Sequence, residues 1–421
     1  MNTKPIIIVQ GAQWGSEGKG MVAGALCERR KVDYAVRTGA VNAGHTVYHK
    51  GKPYKMQQLP VGWVAGDGCT LVIGPGAYIH PEIFFREVLM VRDLGYKGTI
   101  LVDERAGLHL PEHMDRAGAS GRHYLIGATG KGCSEAIRDR IALRGKGGKL
   151  FKDWYIENVI MPVTGASTEL WEFCDTSAIL NNEYDNGQQI LLEGTQGNML
   201  DLYLGPYPYT THKQTLASQW VTEAGLSPGL DYEIVSVVRT HPIRVAGNSG
   251  PMPGEIDWPT LAIEINNKRH VAGLPVLVSP MTINSFMLAK KNFQRDRYPS
   301  EEVWKSESDR DAWNLLSQPE REELSKLFEF TTVTKKLRRI ARMDIPSLQR
   351  SLMVDRPAWI ALTFLNYEFP ELWYEPEFNT WCNLNFSDKQ LAYMENLEGQ
   401  LGYKIGAVTC GPESHHYCGN L

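Results

Sequence analysis

No apolar run in this 421-residue chain approaches the roughly 18 residues that a membrane-spanning helix needs. The short lead to Ile6 carries no signal-peptide pattern. A cytoplasmic location, with no membrane partner, is expected. Seven cysteines (27, 69, 133, 174, 382, 410 and 418) form no Cys-x-x-Cys pair, and their number is odd. That argues against a disulfide framework, and reduced thiols are expected. His415, His416 and Cys418 lie close together, but neighbouring histidines point opposite ways on a strand, so zinc is not expected. The chain also lacks an excess of positive charge. With 44 Lys and Arg against 48 Asp and Glu, the net charge is −4, which gives no electrostatic case for nonspecific nucleic-acid binding. Internal repeats, low-complexity tracts and linkers long enough to mark a domain boundary are missing as well.

What is present centres on Ile6–Cys27, IIIVQGAQWGSEGKGMVAGALC. Ile6 to Val9 reads as a buried parallel strand, Gly11, Gly15, Gly18 and Gly20 crowd a tight turn, and Met21 to Leu26 reads as a helix. Strand, glycine-rich turn and helix aim backbone N–H groups at phosphate oxygens, and Lys19 adds a point charge. Further strands are expected at 34–37, 70–73, 99–102, 189–192, 234–238, 358–364 and 404–408, with a helix over 81–94. Residues 118–148, rich in glycine and basic residues, read as ligand- or subunit-contacting loops. Residues 291–323, charged and irregular, read as a surface insertion or small subdomain. The expected fold is α/β: a single large domain over 1–421, built on a mostly parallel central sheet with a P-loop-like phosphate site.

The turn is not a strict Walker A loop, which would need Gly at Gln13 and Ser or Thr at Gly20. QWGSEGKG at 13–20 and VNAGHTV at 41–47 instead closely resemble the two signature motifs of the adenylosuccinate synthetase family. ATGKG (128–132), EGTQGNMLD (193–201), YPYTT (207–211), TTVTKKLRR (331–339) and CGPES (410–414) follow in the family's order. The resemblance implies a ligase that phosphorylates the 6-oxygen of a purine nucleotide and then lets the amino group of aspartate displace the phosphate. It further implies Mg²⁺ and a homodimer.

Carried over residue by residue, the resemblance gives Gly15, Ser16, Glu17, Gly18, Lys19, Gly20, Gly44, His45, Thr46, Asn366, Gly411 and Pro412 to the triphosphate. Ser16 and Gly44 fall to the metal. Ser16, Asn42, Ala128, Thr129, Arg144, Gln196 and Thr211 fall to the nucleotide monophosphate, and Thr332, Val333, Thr334, Lys336 and Arg338 to aspartate. Ser16, Lys19 and His45 are the catalytic candidates; an imidazole can protonate or hydrogen-bond the developing 6-oxyanion.

Departures from the family carry the specificity reading. Ser16 stands where the family has its general-base Asp, and a Ser hydroxyl is a poor base. Substrate aspartate, Glu17 or water are open as replacements. Ser is smaller than Asp and can accept from the 2-amino group of guanine. A viral branch of the family resembles the chain here; it condenses dGMP with aspartate for 2-aminoadenine DNA. Thr363-Phe364-Leu365-Asn366 replaces the family's Thr-Lys-x-Asp guanine clamp, and an Asn amide can pair both ways with adenine, so ATP or dATP is the expected donor. Lys336 and Leu337 stand where the family has Arg. In Ala142-Leu143-Arg144-Gly145 the first Arg of the family's intersubunit segment is missing, so either Arg144 takes over or the contact is lost. An ordinary enzyme acting on IMP with GTP, a nucleotide-binding regulator, and a plain NTPase are the competing readings.

Overall fold

A computed structural model describes residues 5–146, 148–160, 170–294, 301–330, 336–373 and 386–411. Its first strand, β1 (Ile6–Gly11), is apolar along its length because both of its faces are covered. Ile7 and Val9 enter one core with Val22 and Leu26 of the following helix α1 (Lys19–Arg30). Ile6 and Ile8 enter another with Leu180 and Trp220, from helices Thr176–Asp185 and Ala217–Ala224. Each such side chain, fully buried, contributes roughly 1.5–3 kcal/mol.

The sheet gains eight more strands: β2 (Tyr34–Arg37), β3 (Thr70–Ile73), β4 (Ile100–Asp103), β5 (Glu172–Cys174), β6 (Ile190–Glu193), β7 (Tyr232–Arg239), β8 (Trp359–Thr363) and β9 (Ile405–Val408). Their spatial order is β9-β8-β7-β1-β6-β2-β3-β4-β5, and every pairing is parallel. β1 runs in register between β6 (Ile6 opposite Ile190) and β7 (Ile6 opposite Tyr232). The carboxyl ends of the central strands therefore open together around the turn that follows β1, where an open parallel sheet places its ligand.

The strands expected from the sequence fall on these elements, as does the helix at Pro81–Asp93. Two expectations need correcting. Residues 118–148 are not all loop, since they include helices Arg122–Ile126 and Cys133–Ala142; the many glycines mark helix ends, with Gly121, Gly127 and Gly132 left-handed at the caps. Residues 291–323 are not irregular where described, since they include helices Glu301–Leu315 and Gln318–Leu324. Ala312 and Leu316 from this stretch, and Leu324 just after it, enter a second hydrophobic core with Trp258, Leu261 and Phe286. The dense charge hid that face. A three-stranded antiparallel sheet (Ile243–Arg244, Arg339–Ala341 and Glu255–Ile256) also feeds Ile243 and Ile340 into this core.

Candidate functional site

The turn from β1 to α1 is built on a buried carboxylate. Glu17 Oε1 accepts from the amides of Gln13 (3.1 Å) and Gly15 (2.7 Å), and Oε2 pairs with Lys19 Nζ at 2.5 Å. Lys19 also donates to the Gln196 carbonyl. A methyl group on Gly11 would lie 2.6 Å from both Glu17 Oε2 and Lys19 Nζ, so only glycine lets that pair form. At Gly20 a Cβ would meet His45 Cβ at 2.6 Å, which is why the Ser or Thr of a Walker A loop has no room there. Gly15, Ser16 and Gly18 have φ of 86°, 59° and 99°, so the tip is left-handed and Ser16 is held in a conformation disfavoured for a residue with a Cβ. Two side chains fasten the turn to the sheet: Thr363 Oγ1 donates to the Glu17 carbonyl at 2.6 Å, and Gln13 makes a reciprocal pair with the main chain of Arg239 (3.0 and 2.8 Å).

His45 opens a hairpin of His45–His49 and Lys52–Met56 that lies against α1. Its Nδ1 sits 3.0 Å from Glu193 Oε2, at the end of β6, while Nε2 is buried without a partner. Burial first, then the Arg37 guanidinium, lowers the imidazole to about pKa 4, with Glu193 opposing. The free-enzyme imidazole is therefore neutral at pH 7, its Nδ1–H donated to Glu193 and Nε2 carrying the lone pair. Glu193 is held in turn by Arg37 (3.2 Å) and the Val61 amide (2.5 Å).

Ser16 is exposed, and its hydroxyl accepts from Arg338 at 2.7 Å. The Arg338 amide donates to the Glu329 carbonyl at 2.9 Å. The Glu329 carboxylate pairs with both terminal nitrogens of Arg239 and accepts from the Tyr367 hydroxyl at 2.7 Å. Arg239, buried at the end of β7, lies over the Phe364 ring at 3.8 Å. Phe364 is left-handed (φ 59°) and opens the short helix Leu365–Tyr367, which carries Asn366. Asn366 is 2% exposed and its Oδ1 has no partner, while its amide nitrogen lies 3.9 Å from where a Gly411 Cβ would stand.

The remaining sequence candidates fall at differing distances from this centre. Gly44, exposed, and Thr46, exposed in the hairpin, flank His45; a Cβ on Gly44 would strike Lys55 at 2.3 Å. Asn42 keeps a buried Oδ1 without a partner. Gln196 lies against Gly15, and Thr211 is tied by its amide to Leu200 at 2.8 Å, with Leu200 packed near Gly15. Ala128 and Thr129 follow Gly127, which abuts Ser249. Arg144 is exposed and left-handed, bonded through Nε to the Ile141 carbonyl. Lys336 pairs with Glu307 at 2.5 Å. Thr332, Val333, Thr334 and Pro412 lie outside the described residues, as do Cys382, His415, His416 and Cys418.

Arg37, Glu193, Arg239, Glu329 and Tyr367 were not singled out from sequence. The first three had a signal. Each is a charged residue ending an apolar strand run (YAVR, ILLE, YEIVSVVR), the position that a parallel sheet turns toward its ligand. Among the described residues no group of three or more His, Cys, Asp or Glu could hold a metal. The Ser16 hydroxyl and Gly44 carbonyl are hard oxygen donors, which suit an Mg²⁺ carried mainly by phosphates and water. Among the described residues no helix is long and apolar enough to cross a membrane.

The adenylosuccinate synthetase family model matches residues 8–160 and 148–368. The chain is 30% identical over 414 residues to the adenylosuccinate synthetase of Methanocaldococcus jannaschii, covering 97% of this chain and 94% of that one. Against the adenylosuccinate synthetase of Pyrococcus sp. it is 28% identical, with 98% and 97% covered. Among solved structures, cyanophage S-2L succinoaminodeoxyadenylate synthetase, bound to dGMP and to dATP as an energy donor, matches with a TM-score of 0.68 at 21% identity, covering 99% of this chain and 96% of that one. Fully ligated adenylosuccinate synthetase from Plasmodium falciparum matches at 0.70 and 19%, covering 99% and 100%. At these identities the two solved structures share the fold.

Proposed function

The chain belongs to the adenylosuccinate synthetase family of triphosphate-driven C–N ligases, and on that premise we propose that it condenses dGMP with L-aspartate. ATP or dATP phosphorylates the purine 6-oxygen, and the product is N6-succino-2-amino-2'-deoxyadenylate, a precursor of 2-aminoadenine DNA. The observation that carries the reading is Ser16. It stands at the tip of the turn, exposed and held by Arg338, where the family's Asp would bring a carboxylate to the purine C2 side. A neutral hydroxyl leaves space there and can accept from a 2-amino group. The cyanophage enzyme of like fold, solved with dGMP and dATP, adds support.

In this reading Lys19 leaves Glu17 for the β/γ-phosphates, and the turn amides cradle them. His45 Nε2 faces the 6-oxygen; carrying the proton that purine N1 gives up, and supported through Nδ1–H and Glu193, it hydrogen-bonds the developing oxyanion and passes the proton to the phosphate as aspartate displaces it. Arg338 forks onto a carboxylate of aspartate, and Asn366 reads the donor base. Ser16 and Gly44 would hold Mg²⁺, which supplies positive charge against the phosphates. Two subunits are expected to pair.

A second reading, an ordinary adenylosuccinate synthetase using IMP and GTP, is favoured by the names of the relatives at 28–30% identity. One assay matrix separates them: IMP, GMP and dGMP against ATP, dATP and GTP, with aspartate and Mg²⁺, following the succino product. Turnover of dGMP with little or none of IMP is expected. IMP turned over as well as dGMP, or better, would sink the dGMP assignment.

A further inference from the structure

Two halves of the site meet at one carboxylate that neither half needs for its own chemistry. On the donor side, Glu329 accepts from Tyr367 at 2.7 Å, in the short helix that carries Asn366, and pairs with Arg239, which lies 3.8 Å over the Phe364 ring. On the acceptor side, its main-chain carbonyl accepts from the Arg338 amide at 2.9 Å, and Phe330 bridges to Leu337. Arg338 then donates to the Ser16 hydroxyl, and Arg239 reaches the Ser16 carbonyl at 3.4 Å. Arg239 is 1% exposed, so its guanidinium depends on a facing negative charge. The pairing with Arg239 also holds the Glu329 carboxyl below the usual carboxylate range, so it is charged at neutral pH.

We infer that Glu329 is a positioning residue that couples the donor-base side of the site to the aspartate side. Setting Phe364 and Tyr367 around a base fixes Arg239, Arg239 fixes Glu329, and Glu329, bonded to the Arg338 amide, fixes Arg338 beside Ser16. Occupancy of the triphosphate site then raises the affinity for aspartate. By linkage, the reverse holds equally.

The inference rests on the proposed roles of Arg338 and Asn366, but not on which monophosphate is the acceptor. It is tested with whichever purine monophosphate the native enzyme turns over. The aspartate KM is measured at low and at saturating triphosphate, for native enzyme, Glu329→Gln and Tyr367→Phe. In native enzyme the aspartate KM should fall about fivefold or more as the triphosphate site fills, the lower end of ordinary coupling. In Glu329→Gln it should become independent of triphosphate and rise by a larger factor than kcat falls. Tyr367→Phe, which removes one hydroxyl, should reduce the dependence in the same direction, and it decides the matter if Glu329→Gln does not fold. A native KM indifferent to triphosphate, or variants that keep the native dependence, overturns the coupling alone. A native enzyme that forms no succino product with any purine monophosphate overturns the functional reading and the coupling with it.

Discussion

His45 is neutral in the free enzyme because burial and Arg37 outweigh Glu193. In the proposed mechanism its value lies in Glu193, which holds the Nδ1 proton and so leaves Nε2 to exchange one with substrate. Replacing His45 with Ala should lower kcat by about 10²–10⁴-fold, typical of a lost general acid, with nucleotide binding kept. Glu193→Gln should cost about 10²-fold, the low end of that range, because the imidazole stays but its orientation and charge support go. Steady-state kcat beside equilibrium nucleotide titration checks both, and near-native turnover in His45→Ala would make the residue structural. Asn366 makes a separate prediction. Its Oδ1 is buried without a partner, a state that a base amine or amide can satisfy. Asn366→Asp offers guanine's two donors a charged acceptor, an advantage of roughly 1.5–3 kcal/mol for a charged hydrogen bond. The ratio of kcat/KM for ATP over GTP should fall in that variant. An unchanged ratio, or a native enzyme that prefers GTP, means that Asn366 does not read the base.

At the scale of the element, the turn between β1 and α1 is specified by clearances as much as by contacts. The Gly11 site leaves 2.6 Å to Glu17 and Lys19, and the Gly20 site leaves 2.6 Å to His45 Cβ. Gly11→Ala must push the Glu17–Lys19 pair off the turn amides, whereas Gly20→Ser must push the hairpin that carries His45. The two variants should therefore fail differently: the first by a raised KM for triphosphate, the second by a lower kcat. If Gly20→Ser, the Walker A residue, instead improves triphosphate binding without loss of kcat, the turn works as an ordinary Walker loop and this account of it is wrong. Residues 118–148 carry the opposite lesson. Their glycines read as loop, yet they cap helices Arg122–Ile126 and Cys133–Ala142, because a left-handed residue ends or starts a helix as readily as it makes a turn.

Over the whole molecule, buried imidazoles set the acid limit. His45 and His241 are lowered to about 4, and His109 and His212 to about 3, each chiefly by burial, from an ordinary 6.5. A folded pKa below the unfolded one means that the folded state binds fewer protons, so this contribution is complete above about 6.5 and is lost as pH falls toward 4. Glu28, raised to about 7 by burial, has the opposite sign across the same window, as do Glu87, Asp309 and Asp355, also raised by burial, while His49, His80 and His113, lowered by burial, add to the four. The urea midpoint should fall steadily from pH 7.5 to 4.5. His109→Gln should fold and show a shallower slope, because both its ring nitrogens are buried without partners. A midpoint that is flat or rises on acidification contradicts the balance drawn here.

The sequence by itself determined the parallel sheet, because runs such as IIIV and ILLE are apolar on both faces and only a doubly covered strand tolerates that. It also determined the glycine-rich turn and the family, since glycines, Lys19 and His45 sit within short stretches where spacing along the chain is spacing in space. The tertiary structure decided what those residues face. Arg338 reaches Ser16 across 322 positions, His45 reaches Glu193 across 148, and Glu329 gathers Arg239 and Tyr367 from two different strand ends. No periodicity records such contacts. They arise where parallel strands, distant in the chain, end side by side, so the partners of each site residue become legible only once the order of the strands is known.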